Sequence, residues 1–92
     1  MSYFAVFLKM VDPEKSAAHR PEHLAFLARL RDEGIVFASG RFSDGSGGLV
    51  IYKADSLEAA EKWVSKDPYL IHGARRAEIH EWEMVTNAVL PQ

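Results

Sequence analysis

Hydrophobic residues fall into separate blocks along the chain, and the spacing within each block predicts its secondary structure. Residues 3–10 form a nearly continuous apolar run, which is typical of a central strand buried on both faces. Residues 24–30 carry leucine and alanine three and four positions apart, the spacing of one helix face. Shorter apolar runs at 35–39 and 47–52 predict two more strands, joined through the turn-forming pair Asp44-Gly45.

Proline and glycine set the predicted bounds of the first helix. Pro21 is favoured in a first helical turn, so the helix is predicted to begin near it, with residues 11–15 as a polar loop. Gly34 follows the last apolar position and predicts the C-terminal cap. The helix is therefore expected to span roughly residues 21–33.

A second helix is predicted to be capped by Asp55-Ser56, and Glu58, three residues after Asp55, completes a capping box. It should end just before Pro68, since the residue preceding proline disfavours the helical conformation. Residues 69–72 are expected to add one more helical turn. The side chains expected to face the core are Leu57, Ala60 and Val64, flanked by Trp63.

Residues 74–84 alternate between two mixed faces and predict a last strand at an edge or interface. The order β-α-β-β-α-β is the ferredoxin-like split βαβ motif of the α+β class. Right-handed crossovers give a four-stranded antiparallel sheet of order 4-1-3-2 with both helices on one face. We expect one domain over residues 1–92, in which residues 85–92 form a C-terminal tail.

The sheet face away from the helices would be apolar, because the first strand is apolar on both faces. Such a face is usually covered by a partner. The sequence therefore predicts a homodimer of the dimeric α+β barrel type, packed sheet against sheet. The tail, with Val89 and Leu90, is expected to reach across it, and association into larger oligomers is left open.

Composition excludes several classes of protein. The net charge is −2 with no basic stripe, which argues against a nucleic-acid reader and a polybasic membrane anchor. The apolar runs are far short of a membrane span, and the first residues do not resemble a signal peptide. The chain has no cysteine, so disulfides, thiolate chemistry and Cys-ligated zinc are excluded. A cytoplasmic location is the expectation.

His23 and Asp67 are the residues from which we expect chemistry. His23 is predicted in the first turn of helix one, and Asp67 lies in the Asp67-Pro68-Tyr69 turn after helix two. In a split βαβ fold the end of helix two lies beside the start of helix one, so the two side chains can meet. The carboxylate would accept the ring N–H and stabilise the imidazolium, while the helix dipole would oppose that charge. The alternatives are purely structural: a buried histidine bonded to a carbonyl, and an aspartate that forms the turn.

Five segments in order resemble the YciI-like (YCII-related) family over roughly residues 3–83. They are RPEHLA at 20–25, EGIVFASG at 33–40, GGLVI at 47–51, DSLEAA at 55–60, and DPY at 67–69 with Gly73. The resemblance implies a dimeric ferredoxin-like fold with a pocket around a His-Asp pair, which falls on His23 and Asp67. It also implies small-molecule catabolism as the reaction class. One position departs from the family, whose Gly-Pro after the second strand is Gly40-Arg41 here.

Three further residues are predicted to bind substrate. Arg20 offers a fork of donors for a carboxylate, Ser39 a hydroxyl at a strand end, and Tyr69 a ring beside Asp67. Each also has a structural alternative, as a surface charge, a strand terminator or a core residue. His19 and His23 are four residues apart, but Pro21 should leave His19 outside the helix, so no metal site is predicted.

These residues support three functions. The first is a cofactor-free isomerase or lyase in which His23 is the general acid and base, oriented by Asp67, acting on a small polar or anionic molecule. The second is a non-catalytic dimeric module that binds a small metabolite. The third is a histidine that accepts a phosphoryl group. The sequence leaves open whether the protein is an enzyme at all.

Overall fold

The computed structural model describes residues 1–88, so Val89 and Leu90 of the expected tail lie outside the described residues. Four strands and three helices follow one another in the predicted order. They are β1 (Ser2–Met10), α1 (Pro13–Asp32), β2 (Val36–Arg41), β3 (Gly47–Ala54), α2 (Leu57–Val64), α3 (Pro68–Ile71) and β4 (Arg75–Trp82).

The strands form one antiparallel sheet of order β2-β3-β1-β4, which confirms the predicted topology and the edge position of β4. Strand β1 lies at the centre, with Phe4 opposite Tyr52 of β3 and Glu81 of β4. A bulge between Val36 and Ala38 shifts the register of β2 against β3. The fold is the α+β, ferredoxin-like arrangement that the order of elements predicted.

Helix α1 begins at Pro13, eight residues before the predicted start, so the expected loop at 11–15 was wrong. The Asp12 side chain caps the helix by accepting hydrogen bonds from the backbone N–H groups of Glu14 and Lys15. Pro13 occupies the first turn, where a missing N–H costs nothing. Pro21 therefore lies inside the helix, where it removes one backbone hydrogen bond.

The ends of the helices partly match their predicted caps. Gly34 follows α1 with a φ of 78°, which confirms its role at the C-terminal end. Of the predicted Asp55-Ser56 cap, Ser56 is the N-cap of α2 and its hydroxyl accepts from Ala59 N, in place of the capping box expected from Asp55 and Glu58. Leu57 is the first residue of α2 and is 48% exposed, so its predicted place in the core was wrong. The extra turn after Pro68 is confirmed as α3.

One continuous core lies between the helices and one face of the sheet, as predicted. Phe4, Val6 and Leu8 of β1 face it and are at most 2% exposed. Helices α1 and α2 contribute to the same cluster. The residues are Phe26, Leu27 and Leu30 of α1 and Ala60 and Val64 of α2. Among the described residues, no helix is both long and apolar enough to cross a membrane.

The β2–β3 hairpin brings its backbone close to β1. Its turn is held by the Asp44 carboxylate, which accepts a hydrogen bond from Ser46 N. Hydrogen bonding by the Ser46 side chain, and next by its backbone N–H, lowers the pKa of Asp44. Gly47 has a φ of 147°, and a Cβ there would collide with the carbonyl oxygen of Leu8. Only glycine fits at this point, where β3 pairs with the end of β1.

Candidate active site

His23 and Asp67 are in direct contact. His23 Nδ1 lies 2.7 Å from Asp67 Oδ1, and the two residues are 7% and 1% exposed. The same Oδ1 accepts the backbone N–H of Tyr69 at 2.9 Å, because Asp67 is the N-cap of α3. The carboxylate is therefore fixed by the backbone turn as well as by the imidazole.

The contact decides which ring nitrogen of His23 can meet a ligand. A carboxylate oxygen only accepts, so the proton of this bond belongs to Nδ1 and the ring presents Nε2 as its free nitrogen. His23 lies in the middle of α1 and not in its first turn. The opposing helix dipole expected from the sequence is therefore absent, since that effect falls off within the first turn.

The Tyr69 ring connects His23 to an arginine. It is 3% exposed and stacks on the imidazole, with ring centroids 3.9 Å apart and planes inclined by 16°. The guanidinium carbon of Arg75 lies 4.5 Å from the same ring centroid. Tyr69 thus holds the plane of the imidazole and also contacts a cation, a favourable arrangement for both rings.

A cavity of about 340 Å³ opens between α1 and the β2–β3 end of the sheet. Of the residues predicted from the sequence, Arg20, His23, Ser39 and Tyr69 all line it, whereas Asp67 is absent from the lining and contacts His23 from below the surface. Its apolar lining includes Leu8, Leu24, Leu27, Leu49 and Val50.

Ser39 lines the cavity, but β2 continues past it to Arg41, so its predicted place at the strand end was wrong, and its partner was not predicted. Its hydroxyl oxygen accepts a hydrogen bond of 3.1 Å from Arg31 Nη1. Arg31 lines the cavity too, so this hydroxyl and guanidinium present one polar corner to whatever occupies it.

Sequence reasoning missed three arginines of the cavity, Arg31, Arg41 and Arg75. Arg41 had a usable signal, because residues two apart on a strand share a face and Arg41 follows Ser39 by two. Arg75 begins β4, and its Nε and Nη2 donate to Ser16 Oγ at 3.2 and 3.0 Å while Nη1 donates to Leu8 O at 3.3 Å. No spacing rule links it to Ser16, which is 59 residues away.

His19 lies inside α1, so its predicted place outside the helix was wrong. Its ring stacks on that of His72, with centroids 3.6 Å apart and planes 4° from parallel. The Glu22 carboxylate lies 3.5 Å from His19 Nδ1 and 3.7 Å from His72 Nε2. Parallel rings keep their lone pairs in parallel planes, whereas a tetrahedral metal needs them to converge. The absence of a metal site therefore stays a prediction.

Comparison with known proteins gives matches along nearly the whole chain. A family model described as the YCII-related domain matches residues 2–83. The uncharacterized protein YjpA of Bacillus subtilis is 34% identical over 82 residues, which cover 89% of this chain and 96% of YjpA. Protein YciI of Escherichia coli O6:H1 is 37% identical over 70 residues, 65% of this chain and 71% of that protein.

Two solved structures share the fold. One is 5-chloro-2-hydroxyhydroquinone dehydrochlorinase (TftG) from Burkholderia phenoliruptrix AC1100, with a TM-score of 0.75, 19% identity, and coverage of 88% of this chain and 93% of that one. The other is muconolactone isomerase, with a TM-score of 0.72, 16% identity, and coverage of 98% and 97%. Identities this low show the fold alone.

Proposed function

This chain belongs to the YCII-related family, and from that premise we propose that it is a small-molecule enzyme that catalyses a proton transfer. His23 is its general acid and base, and Asp67 is the residue that positions it. The chemistry needs no group beyond the side chains of the site. A cytoplasmic location is part of the same proposal.

The observation that carries the proposal is the buried bond between His23 and Asp67 at the wall of a cavity. Because Nδ1 is taken by the carboxylate, Nε2 is the nitrogen that faces a ligand as an acceptor. A base held in one tautomer and one ring plane is ready to remove a proton without reorganisation. Burial of both side chains is the cost of that arrangement, and the Tyr69 N–H and ring contact offset part of it.

The reaction supported by this geometry begins with removal of a proton from a substrate carbon or hydroxyl by His23 Nε2. The imidazolium that forms is stabilised by the Asp67 carboxylate at 2.7 Å. The same nitrogen can return the proton at another atom, which gives an isomerisation. If a leaving group departs instead, the result is an elimination, so both isomerase and lyase chemistry fit one base.

The substrate is proposed to be a small anionic organic molecule. Arg20 supplies positive charge at the cavity wall, and Ser39 and Tyr69 add a hydroxyl and a ring to the same lining. The apolar leucines of the lining match a carbon skeleton. A cavity of about 340 Å³ is of the size that small ligands occupy in proteins.

The names of the two fold relatives supply the first compounds to test. Muconolactone and 5-chloro-2-hydroxyhydroquinone would each be incubated with the protein in deuterated water and followed by NMR for turnover and deuterium incorporation. We expect wild type to act on at least one of them or to exchange a carbon-bound proton. His23→Ala should lose about 10²- to 10⁴-fold of that rate. His72→Ala is the matched control, because His72 does not line the cavity.

A second variant separates positioning from binding. Asp67→Asn should lower kcat while KM stays within a few fold, because Asp67 does not line the cavity. Turnover that survives His23→Ala would refute the assignment of the base. Binding of both compounds without turnover or exchange would favour the metabolite-binding module instead, and labelled phosphate retained on His23 would favour the phosphoryl acceptor.

We also propose that two copies associate through the outer face of the sheet. Tyr3 and Phe37 pack edge to face there with centroids 5.6 Å apart, and Phe7 contacts Phe42 and His80. Ala5 lies between Tyr3 and Phe7 on the same face of β1, and Ile51 of β3 is its partner in the sheet. This apolar face is opposite the core-facing side that holds the cavity, so each copy carries its own His23 and Asp67.

The dimer is tested by sedimentation equilibrium. Phe7→Glu places a charge in the middle of this face and should give the mass of a single chain. Leu57→Glu is the control, because Leu57 is 48% exposed on α2 and away from the sheet face. A Phe7→Glu variant that keeps the wild-type mass would show that this face is not the interface.

A further inference from the structure

Three arginines form the wall between two adjoining cavities. Arg20, Arg41 and Arg75 line the cavity that contains His23 and also a second cavity of about 180 Å³. They come from α1, the end of β2 and the start of β4, so the fold itself brings them together. Three guanidinium groups at one boundary concentrate positive charge where a ligand could reach it from either side.

Within residues 1–88, no carboxylate forms an ion pair with any of these three arginines. Arg75 donates only to neutral oxygens, Ser16 Oγ and Leu8 O. Those bonds engage three of its five N–H groups and leave two for a ligand. The one buried carboxylate nearby, Asp67, has its Oδ1 bonded to His23 and Tyr69 N.

The three positively charged guanidinium groups of the cluster repel one another when no anion is bound. Burial lowers the pKa of Arg75, and the neighbouring Arg20 guanidinium lowers it as well, while Tyr69 and Asp67 act in the other direction. A bound anion would relieve this repulsion and use the free donors. Arginine suits that task, because its fork of N–H groups matches the two oxygens of a carboxylate.

Space for such a group exists beside Arg41. Its side chain lines both cavities, so each of them opens directly beside it. Arg41 is exposed, and its side chain has no hydrogen-bonded partner within the described residues, so it can turn towards a ligand. The apolar lining of the larger cavity, including Leu24 and Leu27, lies on the His23 side of the cluster.

We propose that Arg20, Arg41 and Arg75 bind the carboxylate of the substrate, and that the substrate is a small organic acid. Its carbon skeleton then lies on the leucines of the larger cavity, with the reacting atom towards His23 Nε2. The identification of this ligand as the substrate rests on the function proposed above. The existence of the anion site is independent of any turnover.

Binding of benzoate tests the site directly, with benzamide as its neutral analogue of the same shape and inorganic phosphate as the competing anion. Titrations followed by protein NMR at constant ionic strength give each dissociation constant. We expect benzoate to bind at least about tenfold more tightly than benzamide, the difference typical of a charge-assisted hydrogen bond. Tighter binding of phosphate than of benzoate would overturn the assignment to a carboxylate.

Charge-neutralising variants locate the site. Arg41→Gln and Arg75→Gln should each weaken benzoate binding by about tenfold or more. Arg76→Gln is the matched control, because Arg76 is the next residue of β4, is exposed and lines neither cavity. The Arg41 side chain makes no hydrogen bond or ion pair within residues 1–88, so its variant stays informative if Arg75→Gln fails to fold. Benzoate binding unchanged in Arg41→Gln would overturn the proposal.

The two proposals can fail separately. His23→Ala should keep benzoate binding within a few fold, because the cluster does not use the imidazole. If benzoate binding depends on the arginines but no compound is turned over, the proposed enzymatic function is wrong and the anion site remains. If the protein turns over an uncharged compound and Arg41→Gln leaves that rate unchanged, the enzymatic function stands and the carboxylate-binding site is wrong.

Discussion

Replacing Asp67 by asparagine tests the central contact of the molecule at the level of stability. The substitution keeps the shape of the side chain and keeps Oδ1 as an acceptor for Tyr69 N and for His23 Nδ1, 2.9 and 2.7 Å away. It removes the negative charge and turns Oδ2 into an amide nitrogen. Because Oδ2 is buried without a hydrogen-bond partner, that new donor would be unsatisfied.

The size of the effect follows from these changes. Hydrogen bonds to a charged group contribute about 1.5–3 kcal/mol and neutral ones about 0.5–1.5, so the loss of charge costs about 1 kcal/mol. A buried donor without an acceptor costs about 1–3 kcal/mol more. Removing a buried charge gives some of this back. We therefore expect Asp67→Asn to lower the free energy of unfolding by about 2 kcal/mol, a large share of a typical total.

The measurement is urea unfolding followed by circular dichroism, at one protein concentration because association shifts the apparent stability. An unchanged dependence on urea would show that the same two states are compared. Asp55→Asn is the matched control, since Asp55 is exposed and has no side-chain bond within the described residues, and it should change stability by less than about 0.5 kcal/mol.

A double-mutant cycle with His23→Ala decides whether the cost comes from this pair. Coupled residues give an interaction energy above about 0.5 kcal/mol, whereas independent ones add within about 0.3–0.5. Effects of Asp67→Asn and His23→Ala that simply add would refute the reasoning, because they would place the stabilising role of Asp67 in the cap of α3 alone.

Three further outcomes are expected. Gly47→Ala should cost about 1–3 kcal/mol, because the new Cβ meets the Leu8 carbonyl, whereas Gly40→Ala has open space and should stay within about 0.5. Burial raises the pKa of the Tyr52 phenol, so stability should be complete below the ordinary value of about 10 and fall above it, an alkaline loss that Tyr52→Phe should reduce. Zinc chloride should leave the melting temperature unchanged in wild type and in His72→Ala.

For each of these three predictions, one result would contradict it. Equal melting temperatures for Gly47→Ala and Gly40→Ala would show that β1 and β3 can separate without cost. Parallel loss of stability above pH ~10 in wild type and Tyr52→Phe would assign the alkaline transition to other groups. A zinc-dependent rise that disappears in His72→Ala would show that the stacked imidazole rings rotate to bind metal.

The order of strands could be predicted from the sequence because each apolar block has a distinct period and length. The start of α1 could not, because Pro13 and Pro21 each satisfy the rule for a first-turn proline. What decides between them is the Asp12 cap together with the burial of Ser16 at 5% exposure, a tertiary effect. Packing of this first half of the helix outweighs the bond that Pro21 removes.

The candidate site was predictable where two segments carry recognisable residue types and unpredictable where it depends on proximity alone. His23 follows Pro21 and Asp67 precedes Pro68, in two segments whose meeting the fold predicts. The partners of Arg75 are a serine on α1 and a backbone carbonyl of β1, and neither has a sequence signature. A side chain that turns inward from an edge strand looks in the sequence like any surface charge.

The pairing of the first strand with the last sets the order in which the parts of this molecule can form on the ribosome. Tyr3 is opposite Trp82, so β1 keeps one open side until nearly the whole described chain has been synthesised. Contacts between such distant segments form slowly. His23 and Asp67 are 44 residues apart and both precede β4, whereas Arg75 is part of β4. A nascent chain therefore contains the histidine and its carboxylate before it contains the arginine that completes the cavity.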